Sequence, residues 1–273
     1  MSLNNKIWDI FRCLFKDGKF IFIVLATLLA TFPIIANYTL KTSSYCLEKS
    51  LIVAIPFAFA WVVFAWAITD QSVLRRFTTY AFIFVVLFFE KIYWGVFNYL
   101  YASNNLSELI DTKETAHNIF ILIEFIAMFA VFFTLWRLAK PKEFKNRNLK
   151  SISLVVLSAF LMTIPLWIFR FLRYIGAESF TRFLIENIEW YGLLLEGIPI
   201  AFSLIVFAIV ITNIKESVKN LLYFLIFVFA LVMYLPVYSG NFPEIVFFII
   251  VGFCYFVVFL SLVLVSKTKY IEQ

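Results

Sequence analysis

Eight apolar runs, most of them close to twenty residues long, dominate this 273-residue chain, at roughly 20–38, 51–68, 77–100, 117–136, 151–171, 191–212, 220–238 and 243–265. A helix rises about 1.5 Å per residue, so runs of this length match the ~30 Å hydrocarbon layer of a bilayer. Inside lipid each backbone N–H and C=O must be satisfied within the protein, which makes helix the conformation such runs adopt. Composition agrees: 63% of residues are hydrophobic, 21% are aromatic, and mean hydropathy is +0.95. A water-soluble domain cannot bury that much apolar surface. The expected fold class is therefore all-α, a polytopic membrane protein with eight transmembrane helices. Too little chain remains between the runs for a separate soluble domain.

Charge sets the expected orientation. With the N-terminus inside, regions 1–19, 69–76, 137–150, 213–219 and 266–273 are cytoplasmic and hold sixteen of the 23 Lys and Arg residues. The external connections, with the outer end of the fifth span, hold six, and Lys91 lies within a span. That is the positive-inside bias, and it places both the N-terminus and the C-terminus in the cytoplasm. Acidic residues such as Glu108, Asp111, Glu178 and Glu186 collect on the external side. Because the basic residues sort by loop, the net charge of +6 reads as topology and argues against nucleic acid as a partner. The basic loop 137–150 is expected to touch anionic lipid. The bilayer is the main partner, and a membrane-protein partner or homo-oligomer is compatible with the composition. A multi-pass location in the cell membrane follows from the topology.

Residues 1–19 form a first segment of their own. Leu3, Ile7, Ile10, Phe11 and Leu14 share one helical stripe, with Lys6, Asp9, Arg12 and Lys16 elsewhere. The pattern predicts an amphipathic helix lying on the inner leaflet. The first span is long for a leader and lacks a small-x-small cleavage site, so it is expected to be retained.

Self-comparison predicts an internal duplication. Segment 51–69 aligns without gaps to 194–212, and ten of the nineteen positions are identical, including Pro56 with Pro199 and Thr69 with Thr212. Chance identity between strings this apolar is about two or three positions. Val24, Leu25, Leu29, Thr31 and Pro33 likewise match Val156, Leu157, Leu161, Thr163 and Pro165. Tyr80 and Ile83-Phe84-Val85 match Tyr223 and Ile226-Phe227-Val228. The expected organisation is a four-helix repeat at 20–140 and another at 141–273. An even number of spans makes the repeats parallel, related by a pseudo-two-fold along the membrane normal. Prolines at 33, 56, 165, 199 and 236 each remove a backbone donor within or near a span.

Ionisable groups are costly in lipid and normally face the protein interior. Here they are Glu90 and Lys91 in the third span, Glu124 in the fourth and Glu196 in the sixth, with His117 opening the fourth and Arg170 closing the fifth. Counting the helical rise puts the three carboxylates roughly 7–15 Å below the external surface. One ligand or ion site in the outer half of the bilayer is expected, its carboxylates opposed by Lys91 and Arg170. The alignment sharpens this, because Glu196 replaces Val53 and Glu90 stands opposite Met233.

No catalytic or metal site is legible. The cysteines at 13, 46 and 254 lie in different segments without ligand spacing, and one histidine is too few for the usual zinc or haem sites. No P-loop, G-x-S-x-G or H-E-x-x-H is present, and cofactors are unknown. Three readings stay open. The first is a transporter- or channel-like protein with a charged site. The second is a non-catalytic membrane subunit, assembly factor or immunity-type protein whose charges fix packing. The third is an intramembrane enzyme acting on a lipid-linked substrate through one of the carboxylates.

Overall fold

The computed structural model describes residues 18–39, 47–69, 77–103, 110–140, 149–174, 193–212, 216–233 and 244–266. They form eight α-helices: α1 Lys19–Thr39, α2 Leu47–Ile68, α3 Phe77–Ser103, α4 Ile110–Ala139, α5 Leu149–Tyr174, α6 Ile198–Ile211, α7 Glu216–Val232 and α8 Glu244–Ser266. One π-helical turn, Leu193–Gly197, leads into α6. The amphipathic stretch 3–16, the external segment 175–192 and Pro236 lie outside the described residues.

Five helices contain stretches long and apolar enough to cross a membrane, in α1, α2, α4, α5 and α8. The stretches in α6 and α7, Leu195–Ile211 and Val218–Val232, are apolar but shorter. The remaining helix, α3, carries Glu90 and Lys91 at its midpoint. Several helices run past the apolar segments read from the sequence. The fourth begins at Ile110, seven residues before the expected start, because Asp111 and Glu114 end an apolar stretch without breaking a helix.

The surface is oily. Ile21, Leu25, Leu28 and Phe32 form an exposed stripe on α1, and Phe82, Val85 and Phe89 do the same on α3. Water would penalise such stripes, whereas lipid tails cover them at no cost. The inward faces are built from smaller residues. Ala26 and Ala30 of α1 and Ala54, Ala58, Ala60 and Ala65 of α2 are all buried. Between helices in lipid the drive to associate comes from close van der Waals contact, and small side chains let backbones approach.

Each helix packs against its sequence neighbours, and α8 closes against α1. The even-numbered helices also touch across the middle: α2 meets α4 and α8, and α6 meets α4 and α8. The result is an inner set of four helices with α1, α3, α5 and α7 filling the corners between them. Burial follows this order, at 50% of the apolar window in α4 and α8 against 39% in α1 and 33% in α5. Stacked phenylalanines join the inner helices, with Phe64 on Phe259 at 4.8 Å and Phe132 on Phe207 at 4.6 Å between ring centres.

Polar groups inside are few and mostly spent on backbone. Thr31 Oγ1 donates to the Thr27 carbonyl at 2.8 Å, and Thr163 Oγ1 to that of Phe160 at 3.0 Å. Between α5 and α6 the bonds are reciprocal. Ser158 Oγ donates to the Ser203 carbonyl and Ser203 Oγ to the Ser158 carbonyl, each at 2.8 Å. Pro33, Pro56 and Pro165 are held inside helices, while Pro199 falls in the first turn of α6, where its missing N–H costs little.

Candidate functional site

A cavity of about 200 Å³ lies among the helices, and all eight contribute to its wall. From α2 come Phe57 and Trp61, from α6 Ile200 and Leu204, and from α8 Tyr255 and Phe259. Lys91 of α3 and Glu124 of α4 supply its charged surface. The methionines are concentrated here: Met128, Met162 and Met233, three of the four in the chain, line it from different helices. Methionine combines flexibility with a polarisable sulfur, which suits an adaptable apolar wall.

The charged cluster is compact. Lys91 Nζ donates to Glu90 Oε1 at 2.9 Å and stands 3.9 Å from Glu124 Oε2. Its ammonium also lies 4.9 Å from the centre of the Phe57 ring, a cation–π contact. The Glu90 side chain is wholly buried, whereas Lys91 keeps 26% and Glu124 13% of their side-chain surface accessible. Since both line the cavity, that remaining surface belongs to its wall. Glu90 Oε2 is buried and has no hydrogen-bonding donor, and Glu124 is the carboxyl that interacts with Glu90.

Adjacency in sequence explains the division of labour between Glu90 and Lys91. Consecutive helical residues point about 100° apart, so Glu90 turns into the helix contacts while Lys91 reaches the lumen. Ionised together, two carboxylates against one ammonium would leave one negative charge in excess. In a lumen walled by aromatic rings, methionines and aliphatic groups, that excess is expensive unless something positive balances it.

The structure thus gathers Glu90, Lys91 and Glu124 from the residues marked in the sequence. Glu196 is half-buried in the π-turn, four residues before Ile200, and is not among the residues lining the cavity. The side chains of His117 and Arg170 lie outside the described residues. Among the described residues no group of three or more His, Cys, Asp or Glu is placed to hold a metal ion. Sequence reasoning missed Phe57, Trp61 and Tyr255, which sit in spans apolar on every side. The methionines were the available signal, because a scarce residue type recurs in the fourth, fifth and seventh spans. No protein-family model, curated protein or solved structure matches the chain.

Proposed function

We propose that the chain is a multi-pass protein of the cell membrane, with eight spans arranged as two parallel four-helix repeats and both ends cytoplasmic. In this reading it acts as a transporter- or channel-like protein through a charged site in the outer half of the bilayer. The carrying observation is the cavity in the middle of the bundle, with Lys91 and Glu124 in its wall. A salt bridge serving only to join two helices needs no cavity beside it, and close packing would fill one.

Several features support the repeat. The neighbour relations among helices are unchanged when every helix is advanced by four positions, the crossings between even-numbered helices included. The Phe64–Phe259 and Phe132–Phe207 stacks exchange under the same operation, and their interplanar angles are 27° and 22°. Aligned residues recur in the cavity wall: Ala30 with Met162, Phe57 with Ile200, and Trp61 with Leu204. The cavity then lies on the pseudo-two-fold axis, the place where transporters assembled from repeats hold their substrates.

A second reading is favoured by the tight Glu90–Lys91 bridge, which would suit a subunit whose charges only secure packing. Ion flux separates the two. In proteoliposomes under an imposed potential, the wild type is expected to move protons or small cations above protein-free vesicles. Glu124→Gln is expected to lose most of that flux while keeping its elution profile. Flux at the protein-free level across protons, alkali cations and small organic cations would sink the transport reading in favour of packing.

A further inference from the structure

The charge balance of the cavity, its wall chemistry and its size together name a ligand class. We infer that the cavity binds a small monovalent organic cation with an apolar body, seated at Glu124 and exchanging with one proton. The inference rests on the reading of the cavity as a solute site.

Charge comes first. Glu90 Oε1 already accepts from Lys91 at 2.9 Å, while Glu124 is 3.9 Å from the same ammonium, beyond hydrogen-bonding distance. Glu124 is therefore the less compensated carboxylate, and it is also the one in the cavity wall. Glu90 Oε2 is buried without a donor beside it. A single proton shared between the Glu90 and Glu124 carboxyls would supply the missing donor and remove the surplus negative charge. An ammonium ligand does the same work, with N–H donors for both carboxylates. One positive charge fills the site in either case, so the cation enters as the proton leaves.

The groups that face Glu124 set this balance. Across α3 they are Glu90 and Lys91, and on α8 the phenol of Tyr255 lies near Lys91. The lining residues of α1, α2, α5, α6 and α7 are without charge and without titratable groups. No further described cation in the wall competes for the carboxylate.

The wall supplies the rest. Phe57, Trp61, Tyr255 and Phe259 present four aromatic rings to the lumen. Ring faces attract cations, as Lys91 over Phe57 already demonstrates at 4.9 Å. An anion of the same shape would meet those faces and the two carboxylates with the wrong sign. Lys91 does not invite one, since its charge is answered by Glu90. Volume bounds the body of the ligand: an apolar cavity of roughly 150 Å³ accepts benzene. About 200 Å³ accepts a ring with a short ammonium-bearing arm.

The test uses the purified full chain in lipid nanodiscs, titrated calorimetrically with 2-phenylethylammonium, 2-phenylethanol and 3-phenylpropionate, three probes of similar size and different charge. Binding of the ammonium is expected, with the alcohol and the carboxylate weaker by about tenfold or more, the factor one lost charged contact represents. Heats in buffers of different ionisation enthalpy are expected to report one proton released per cation bound. Glu124→Gln should abolish ammonium binding with the helical circular-dichroism spectrum unchanged. If that variant does not fold, the comparison of the three probes on the wild type decides alone. Equal or tighter binding of 3-phenylpropionate overturns the inference, as does ammonium binding without proton release. Vesicle proton flux with no ammonium binding also overturns it while leaving the transport reading in place. Ammonium binding without flux does the reverse.

Discussion

The two halves of the bundle both line the cavity, yet they differ in what they place there. Helices α1–α4 contribute Lys91 and Glu124, with Glu90 behind them, whereas α5–α8 contribute Met162, Ala230, Met233 and Tyr255. In the aligned register Glu90 stands opposite Met233. The register that pairs Phe132 with Phe259 sets Glu124 opposite Val251, which is fully buried. At the crossing of the first two helices of each half the contrast runs the other way. Ala26 and Ala60 are buried in α1 and α2, while the matching Ser158 and Ser203 exchange hydrogen bonds between α5 and α6. The lesson is that positions aligned in sequence carry different chemistry in the two halves. One half concentrates its polarity at the axis, and the other spends it on holding two helices together.

Removing one member of the charged cluster should disturb this contrast most. Lys91→Met leaves two carboxylates buried without their cation and is expected to cost about 4 kcal/mol, read from unfolding in mixed micelles. Adding Glu90→Met and Glu124→Met, which makes the first half as apolar as the second, should recover most of the loss. A triple variant no more stable than the single would show that the cluster is not a burden the rest of the bundle carries.

The aromatic stacks probe the opposite proposition, that the halves are equivalent. Phe64→Ala and Phe207→Ala each empty an aligned, fully buried position and are each expected to cost about 3 kcal/mol. Agreement within about 1 kcal/mol supports equivalence. Costs differing by more than that would mean the resemblance of the stacks is superficial.

The serine pair gives the smallest effect. Ser203→Ala copies the first half at that position and removes one of two reciprocal bonds, an expected cost of about 0.6 kcal/mol. A loss several times larger would assign the α5–α6 contact to polar rather than steric matching.

Much of the architecture was legible before the coordinates. Apolar run length carried the positions of the helices, because lipid thickness translates directly into residue count. The cost of a charge in lipid marked Glu90, Lys91 and Glu124, and the helical rise put them at comparable depth. Depth is only one of the coordinates a site requires. The direction in which a side chain points was hidden, since a helix apolar on all sides offers no periodic signal to reveal its inner face. Phe57 and Trp61 are indistinguishable in sequence from Phe59, which is 46% exposed. Glu196 illustrates the same limit, because its level was readable while its relation to the cavity was not. The prolines add another. Pro56 and Pro199 are aligned, but the π-turn before α6 puts one in mid-helix and the other in a first turn.

Because α8 closes the ring against α1 and supplies Tyr255, Val258, Phe259 and Leu262 to the wall, the cavity exists only once this helix is in place. During synthesis it leaves the ribosome after the other seven. Until it docks, the lumen is an open trough with an ammonium and two carboxylates along one side, turned toward acyl chains or whatever companion the insertion machinery provides. Docking of α8 therefore converts a polar liability into a walled cavity. The last helix to be made is also the one that brings the rings of Tyr255 and Phe259 to the charged cluster.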